Sequence, residues 1–572
     1  MNEHKEVHLN IKAKALHTFD AIVVGSGISG GWAAKELCEK GLKTLVLERG
    51  RNVEHIKDYT TANLPAWEFD HRLRITQKQQ AESPVKSGAA DAGSALFFAD
   101  DREHPYIQEK PFNWIRGYQV GGRSLTWGRQ CYRYSDLDFE ANLKEGVGVD
   151  WPLRYKDLAP WYSYVENYIG ISGKRDGLPH LPDGDFLPPM EMNCIEDDFS
   201  TKMASHYKDR KVIIGRVANL TKGWNGRGPC QYRNLCSRGC PFGGYFSSNA
   251  ATLPSAMATG NLTLQPDSIV IEVMYDKDKR RATGVKVMHA QTRQVTEYYA
   301  RIIFLNASTI ATASILLNSV SDHFPQGFGN SSGQVGHHLM DHFIGTGAVA
   351  ESESFKDKYY YGRRPVGIYV PRFRNTNDLT RQKNYQRGFG LQGMGGRAGW
   401  QEQGAATGGF GKKFKEQLLQ PGPWSIWLGG WGETLPYFGN QVTLDKLQKD
   451  QWGLPLVKID FQYHDNEKAM RKDMLASIEE MLDNAGYKNI NSYNHEQPGG
   501  SAVHEMGTAR MGHDPETSVL NGNNQLHDAK NVFITDGSCM TSAGTANPSL
   551  TYMALTARAC DFAVNELRKG NL

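Results

Sequence analysis

No apolar run in this 572-residue chain approaches the roughly 18 residues that a membrane-spanning helix requires, so the sequence offers no transmembrane segment. No run of lysine and arginine is long enough for a nucleic-acid surface, and the net charge is only +3. The N-terminal stretch MNEHKEVHLNIKAKALHTFD holds no apolar core of the kind a secretory signal peptide needs. By itself the polypeptide is therefore expected in the cytoplasm. Internal repeats and low-complexity linkers are also missing. Charged residues at 22% and hydrophobic ones at 39% are ordinary for a globular protein, and the length allows a large core.

Glycine, by contrast, is abundant at 60 residues, beside 12 tryptophans and 25 tyrosines. Glycine lets backbone approach a cofactor, and aromatic rings stack on sugars or flavin. Large α/β proteins are often glycine-rich, so composition decides little. Position decides more. Residues 19–24 (FDAIVV) suit a buried parallel strand, GSGISG follows at 25–30, and a helical pattern covers 32–40 before a second strand at 44–47. A lone GxGxxG is weak evidence, but here it stands between a strand and a helix with Glu48 at the tip of the second strand. Gly25 and Gly27 permit the tight turn and contact with a pyrophosphate, Gly30 lets helix and strand pack closely, and the helix N-terminus faces the anion. Glu48 favours an unphosphorylated ribose, hence FAD or NAD rather than NADP.

Farther along, residues 55–110 read as irregular and polar, and 118–127 (YQVGGRSLTW) form a second glycine loop. A loop dense in Gly, Arg and Cys lies between 215 and 244. Strand-like alternation covers 262–305 and a helical stretch 310–319. Aromatic, glycine-punctuated strands such as WSIWLGGW fill 352–463, consistent with an antiparallel sheet over the cofactor. A helix is expected at 465–485, another parallel strand at 531–536 (NVFITD) and a closing helix at 550–567. Near the end, His504 stands in HEMGTARMG and Asn547 in NPSLT. Oxidising an alcohol requires removal of a hydroxyl proton and a hydride. An imidazole with a pKa near neutrality suits the first task, and an amide can orient the hydroxyl or bond a flavin edge without competing for the proton. An isolated histidine is more often a satisfied core residue; the motif sets His504 apart. His337, His338, His342 and His513 are assigned to structure rather than to a metal.

Seven stretches in this order resemble the glucose–methanol–choline (GMC) oxidoreductases, FAD enzymes that oxidise alcohols. They are the N-terminal fingerprint, GGRSLTWGR, LNASTIATASILLNS, VGHHLMDH, ETLPYFGNQVTLD, HEMGTARMG and DGSCMTSAGTANPSLTYMALTARA, and the likeness spans nearly the whole chain. It implies an α/β fold (α+β overall), with a Rossmann-type FAD-binding domain interleaved with a substrate domain on an antiparallel sheet. Residues 17–350 would supply the first part of the FAD domain, with a cysteine-rich loop at 225–245. Residues 351–495 would form the substrate domain, and 496–572 would return to the FAD domain with the catalytic motifs. By the same resemblance His504 matches the family's catalytic histidine and Asn547 its second active-site residue. Glu48 matches the ribose-binding acid, and Gly122, Ser124 and Trp127 belong to the cofactor loop. Val270 falls where backbone meets adenine, and Asp536 and Gly537 fall beside the pyrophosphate and flavin. Members that attach FAD covalently use a histidine just before the loop tryptophan; here that position is Thr126, so FAD is expected to be non-covalent.

Of eight cysteines, 38, 131, 194, 539 and 560 are scattered and read as free thiols of a reducing compartment. Cys230, Cys236 and Cys240 are clustered as C-x5-C-x3-C. Three soft ligands on a flexible glycine-rich loop can hold an iron–sulfur cluster, with Arg233 and Arg238 offsetting its charge; a zinc site with a fourth ligand and plain thiols are the alternatives. The spacing also resembles bacterial FAD-dependent sugar dehydrogenases of the glucose dehydrogenase and glucoside 3-dehydrogenase type, which implies a [3Fe–4S] cluster. The function expected is an FAD-dependent sugar or glycoside dehydrogenase that passes electrons through the cluster to a partner. Such a partner would be a small accessory subunit and a cytochrome c-type acceptor, and co-export with the accessory subunit would place the flavoprotein in the periplasm. An oxygen-using oxidase and a non-catalytic FAD electron-transfer subunit are the competing readings.

Overall fold

The computed structural model describes residues 16–359, 364–397, 399, 404 and 408–572. Its first sheet grows from the strand Thr18–Val24, where Ala21, Ile22 and Val23 are wholly buried. An unbroken apolar run is what a parallel strand covered on both faces demands. It pairs in parallel with Thr44–Leu47 on one side and Val295–Leu305 on the other, and Thr44–Leu47 pairs in turn with Leu262–Gln265. The long strand Val295–Leu305 is shared. Its first half holds an antiparallel meander of Ser268–Asp276 and Arg281–His289, while residues 303–305 take the C-terminal strand Val532–Ile534 in parallel. The C-terminus thus returns to the sheet begun by the N-terminus. Helix Ile28–Glu39 packs against helices Thr252–Ala258 and Ser549–Lys569.

The second sheet is antiparallel, in the order Lys488–Asn494, Thr346–Ser352, Trp424–Gly432, Phe389–Arg397, Ile368–Val370, Ile213–Ile214. Helix Asp465–Asn484 packs on it through Met470, Met474, Ile478 and Met481, an i, i+4, i+8, i+11 stripe. Gly430 permits that approach, since a Cβ there would stand 2.1 Å from the Met474 sulfur. On the sheet's opposite face the partners Gln392 and Gly429, Met394 and Trp427, and Gly390 and Trp431 lie side by side. This sheet includes Thr346–Ser352 and the short strand Ile213–Ile214, which pairs with Ile368–Val370. Among the described residues no helix is long and apolar enough to cross a membrane.

Candidate active site

A cavity of about 490 Å³ opens beside the first sheet, walled by Gly25, Gly27, Glu48, Gly122, Ser124, Thr126, Trp127, Val270, His504, Asp536, Gly537 and Asn547. The first glycine turn is built for close backbone. Gly25 has φ +92°, and a Cβ there would lie 2.3 Å from the Asn306 carbonyl oxygen. Gly30 lies off the cavity; its Cβ would fall 1.9 Å from the Gly25 carbonyl oxygen, so it serves helix–strand packing. Gly27 differs from both: a Cβ there meets nothing within 4 Å and would project into the cavity.

Polar bonds tie the two glycine loops together. Gly121 N–H donates to Ser26 Oγ at 2.9 Å, and Ser26 donates its hydroxyl to Glu48 at 2.6 Å. Glu48 also accepts the Ser26 and Gly50 N–H groups, and burial pushes its carboxyl above the usual range. Ser124 accepts the Ser248 N–H at 3.0 Å, and Trp127 Nε1 donates to the Phe246 carbonyl at 2.9 Å. Asp536 accepts the Ser308 N–H and the Thr312 hydroxyl, fixing the start of helix Thr309–Asn318 at the cavity wall. Asn306, also in the wall, spends its oxygen on Thr535 but has a buried Nδ2 with no protein partner. An open cradle at Gly27, helix N-termini at Ile28 and Ser549, and an orphaned amide donor fit a long dinucleotide carrying phosphates. These residues fit FAD.

His504 stands in the wall of the same cavity. Val503, just before it, has φ +57°, an unfavourable conformation for a β-branched residue. Asp341 holds the turn by accepting N–H groups on both sides of Val503, from Ala502 at 3.2 Å and His504 at 3.0 Å. Burial and the neighbouring Glu505 push the Asp341 carboxyl up to about 7. Glu505, almost fully buried, pairs with Arg123 of the second glycine loop at 2.7 Å and so clamps the cofactor loop to the histidine motif.

The tautomer of His504 follows from its neighbours. His342 Nε2 lies 2.9 Å from the Gly544 carbonyl, which only accepts, so Nε2 carries the hydrogen. Burial pushes the His342 pKa down to about 4, which keeps the ring neutral and its Nδ1 a lone pair. His504 Nδ1 is 2.8 Å from that lone pair and therefore donates to it. The His504 Nε2 lone pair is left toward Asn547, whose Nδ2 donates to it at 3.1 Å. Burial first, then His342 and Arg123, hold the His504 pKa well below its ordinary value. The near-neutral pKa expected from the imidazole alone is thereby corrected: the ring lies against protein and beside a guanidinium.

The N-terminal GMC oxidoreductase family model matches residues 19–344 and the C-terminal one residues 436–556. The chain belongs to the GMC oxidoreductases. It is an FAD-dependent oxidoreductase acting on CH–OH donors. It is 29% identical to 2-methyl-1,2-propanediol dehydrogenase of Mycolicibacterium austroafricanum, over 95% of this chain and 94% of that one. It is 26% identical to the fructose dehydrogenase large subunit of Gluconobacter japonicus, over 96% and 98% of the two chains. In fold it is similar to the crystal structure of pyridoxine 4-oxidase from Mesorbium loti, with TM-score 0.61 and 16% identity over 96% and 99%.

Cys230, Cys236 and Cys240 are free, and the Cys230 thiol is raised first by burial and then by Cys236 and Cys240. Yet among the described residues no three His, Cys, Asp or Glu side chains gather to hold a metal ion. Spacing brings the three onto one loop, but converging three sulfurs on a point depends on backbone path. Arg233 and Arg238 donate to the carbonyls of Ala62 and Leu64. Sequence reasoning also missed Asp341, Arg123, Glu505, Gln392 and the contact of His342 with His504. VGHHLMDH singled out His342, but nothing local in it shows that the ring meets a residue 162 positions away.

Proposed function

We propose that this chain is the catalytic flavoprotein of a sugar or glycoside dehydrogenase. The observation that carries the reading is the bare Nε2 of His504, 3.1 Å from the Asn547 amide, at the wall of the cofactor cavity. FAD, when bound, supplies the hydride acceptor. His504 Nε2 takes the hydroxyl proton of the substrate, and Asn547 Nδ2–H turns to donate to the substrate oxygen as charge develops there. Gln392 donates to Asn547 Oδ1 at 3.1 Å and so keeps Nδ2 aimed at the reacting atoms. Trp427 and Trp431 lie on the same sheet face as Gln392, packed edge to face 6.2 Å apart. Relatives named for fructose and gluconate oxidation support a sugar.

The finer reading is that Cys230, Cys236 and Cys240 would hold a [3Fe–4S] cluster, which would supply one-electron chemistry, and that the natural acceptors would be an accessory subunit and a cytochrome c-type protein. The name of the fructose dehydrogenase large subunit supports a multi-subunit assembly, and export with a smaller subunit would place it in the periplasm. Tyr245, whose hydroxyl donates to the Leu125 carbonyl at 2.6 Å, links this loop to the cofactor loop. The loop would have to draw its sulfurs together around iron, as metal sites often do on binding. Iron analysis of anaerobically purified protein tests it: about three irons per flavin supports the cluster, and iron near zero removes it. Paromamine 6'-oxidase of Streptomyces fradiae, 25% identical over 96% of this chain, favours an oxidase as second reading; stoichiometric peroxide formation would establish it. The core reading is tested by His504→Ala, expected to keep FAD while flavin reduction by substrate slows about 10²–10⁴-fold. Near-wild-type anaerobic reduction over a sugar panel would overturn the base assignment.

A further inference from the structure

The hydrogen bonds around His504 extend well beyond its two immediate neighbours, and all run one way. The Tyr132 hydroxyl donates to Gln130 Oε1 at 2.5 Å, and Gln130 Nε2 donates to Gln392 Oε1 at 3.0 Å. Gln392 Nε2 donates to Asn547 Oδ1 at 3.1 Å, Asn547 Nδ2 to His504 Nε2 at 3.1 Å, and His504 Nδ1 to His342 Nδ1 at 2.8 Å. His342 Nε2 closes the series on the Gly544 carbonyl at 2.9 Å. Reversing the polarity would put a bare His342 nitrogen against a carbonyl oxygen, two acceptors facing each other in a buried site, which is costly. The Gly544 carbonyl therefore sets the direction of every bond upstream. The Gln392 end rides on the antiparallel sheet, and the His342 end lies just before the strand Thr346–Ser352 of that same sheet.

We propose that His342 is a positioning residue that fixes His504 as the Nδ1–H tautomer, with its lone pair at Nε2 toward the substrate. The inference rests on His504 being the base. His342 is fully buried and meets no substrate-facing wall, so it acts only through His504. The partner does not compete for the abstracted proton. When His504 gains a hydrogen at Nε2, its Nδ1–H still has the neutral His342 acceptor to donate to. Facing the pair are Arg123, Glu505 and Asp341, the charged groups brought by the cofactor loop, the His504 segment and the residue preceding His342.

The test has two arms. In holoenzyme carrying ¹⁵N-labelled histidine, nitrogen NMR is expected to show His504 hydrogenated on Nδ1 and His342 on Nε2, assigned by their disappearance in His504→Ala and His342→Leu. A wild-type His504 hydrogenated on Nε2 would overturn the proposal without recourse to any variant's kinetics. In the second arm, His342→Leu is expected to keep its flavin and its substrate KM but reduce flavin at least 10-fold more slowly. His342→Asn, which again offers His504 an acceptor, is expected to recover most of that loss. Wild-type reduction in His342→Leu, or an Asn variant no better than Leu, refutes the positioning role. If His342→Leu does not retain flavin, the wild-type spectrum decides alone. Normal reduction in His504→Ala would instead remove the base assignment, an outcome distinct from failure of His342 to position it.

Discussion

Adding one methyl group at Gly27 and at Gly30 separates cofactor space from packing space within a single motif. The Gly27 backbone, φ −66° and ψ −159°, is one any residue adopts, and its Cβ would meet no protein atom within 4 Å. Gly27→Ala is therefore expected to fold like wild type, with the methyl placed where the cofactor must come close. Overpacking by a methyl costs about 1–3 kcal/mol, which at about 1.4 kcal/mol per decade weakens FAD binding roughly 5- to 150-fold. Gly30→Ala reverses the pattern. Its Cβ would sit 1.9 Å from the Gly25 carbonyl oxygen and 2.7 Å from that carbonyl carbon, backbone atoms with no room to give. The gain of about 0.5–1 kcal/mol from replacing a helical glycine is outweighed by a clash at or beyond the roughly 3 kcal/mol end of overpacking. Titrating apoprotein with FAD by flavin fluorescence, alongside far-ultraviolet circular dichroism and thermal unfolding, reads both effects. Wild-type FAD affinity in Gly27→Ala, or a normally stable Gly30→Ala, would refute the reasoning.

Because Thr126 stands in the cavity wall where a linking histidine would be, acid precipitation is expected to release all the FAD into the supernatant; flavin left on the pellet would contradict this. The pH dependence follows from the lowered His504 pKa. The active base is the neutral ring, so activity is lost as pH falls through a value below 6.5, and the rate of anaerobic flavin reduction is expected to stay flat across neutrality. Acidification toward about 4 would charge His342 and put two hydrogens between the rings. A stopped-flow profile with its acid limb centred at or above 6.5 would show that burial does not govern this histidine.

The chain's own order of residues determined the cofactor half of this protein. An unbroken apolar strand, a glycine turn, a helix and an acid 23 positions beyond Gly25 form a local unit, and local patterns are readable because their physics is local. Helix Asp465–Asn484 was legible for the same reason, its methionines recurring on one face. His504 and Asn547 were visible as residue types in motifs, but their protonation was not. That depended on tertiary structure: His342 brings a lone pair to one ring nitrogen, Asn547 an N–H to the other, and Gly544 a carbonyl that orders both. The pKa of His504 moved for a similar reason, since desolvation and the Arg123 charge come from chain remote in sequence. The cysteine loop marks the opposite limit. Spacing put three thiols within one loop, whereas whether sulfurs converge depends on backbone path and on iron, neither of which C-x5-C-x3-C contains. Sequence fixes which groups are available within a turn or two; only packing of distant segments decides which atom of each faces which.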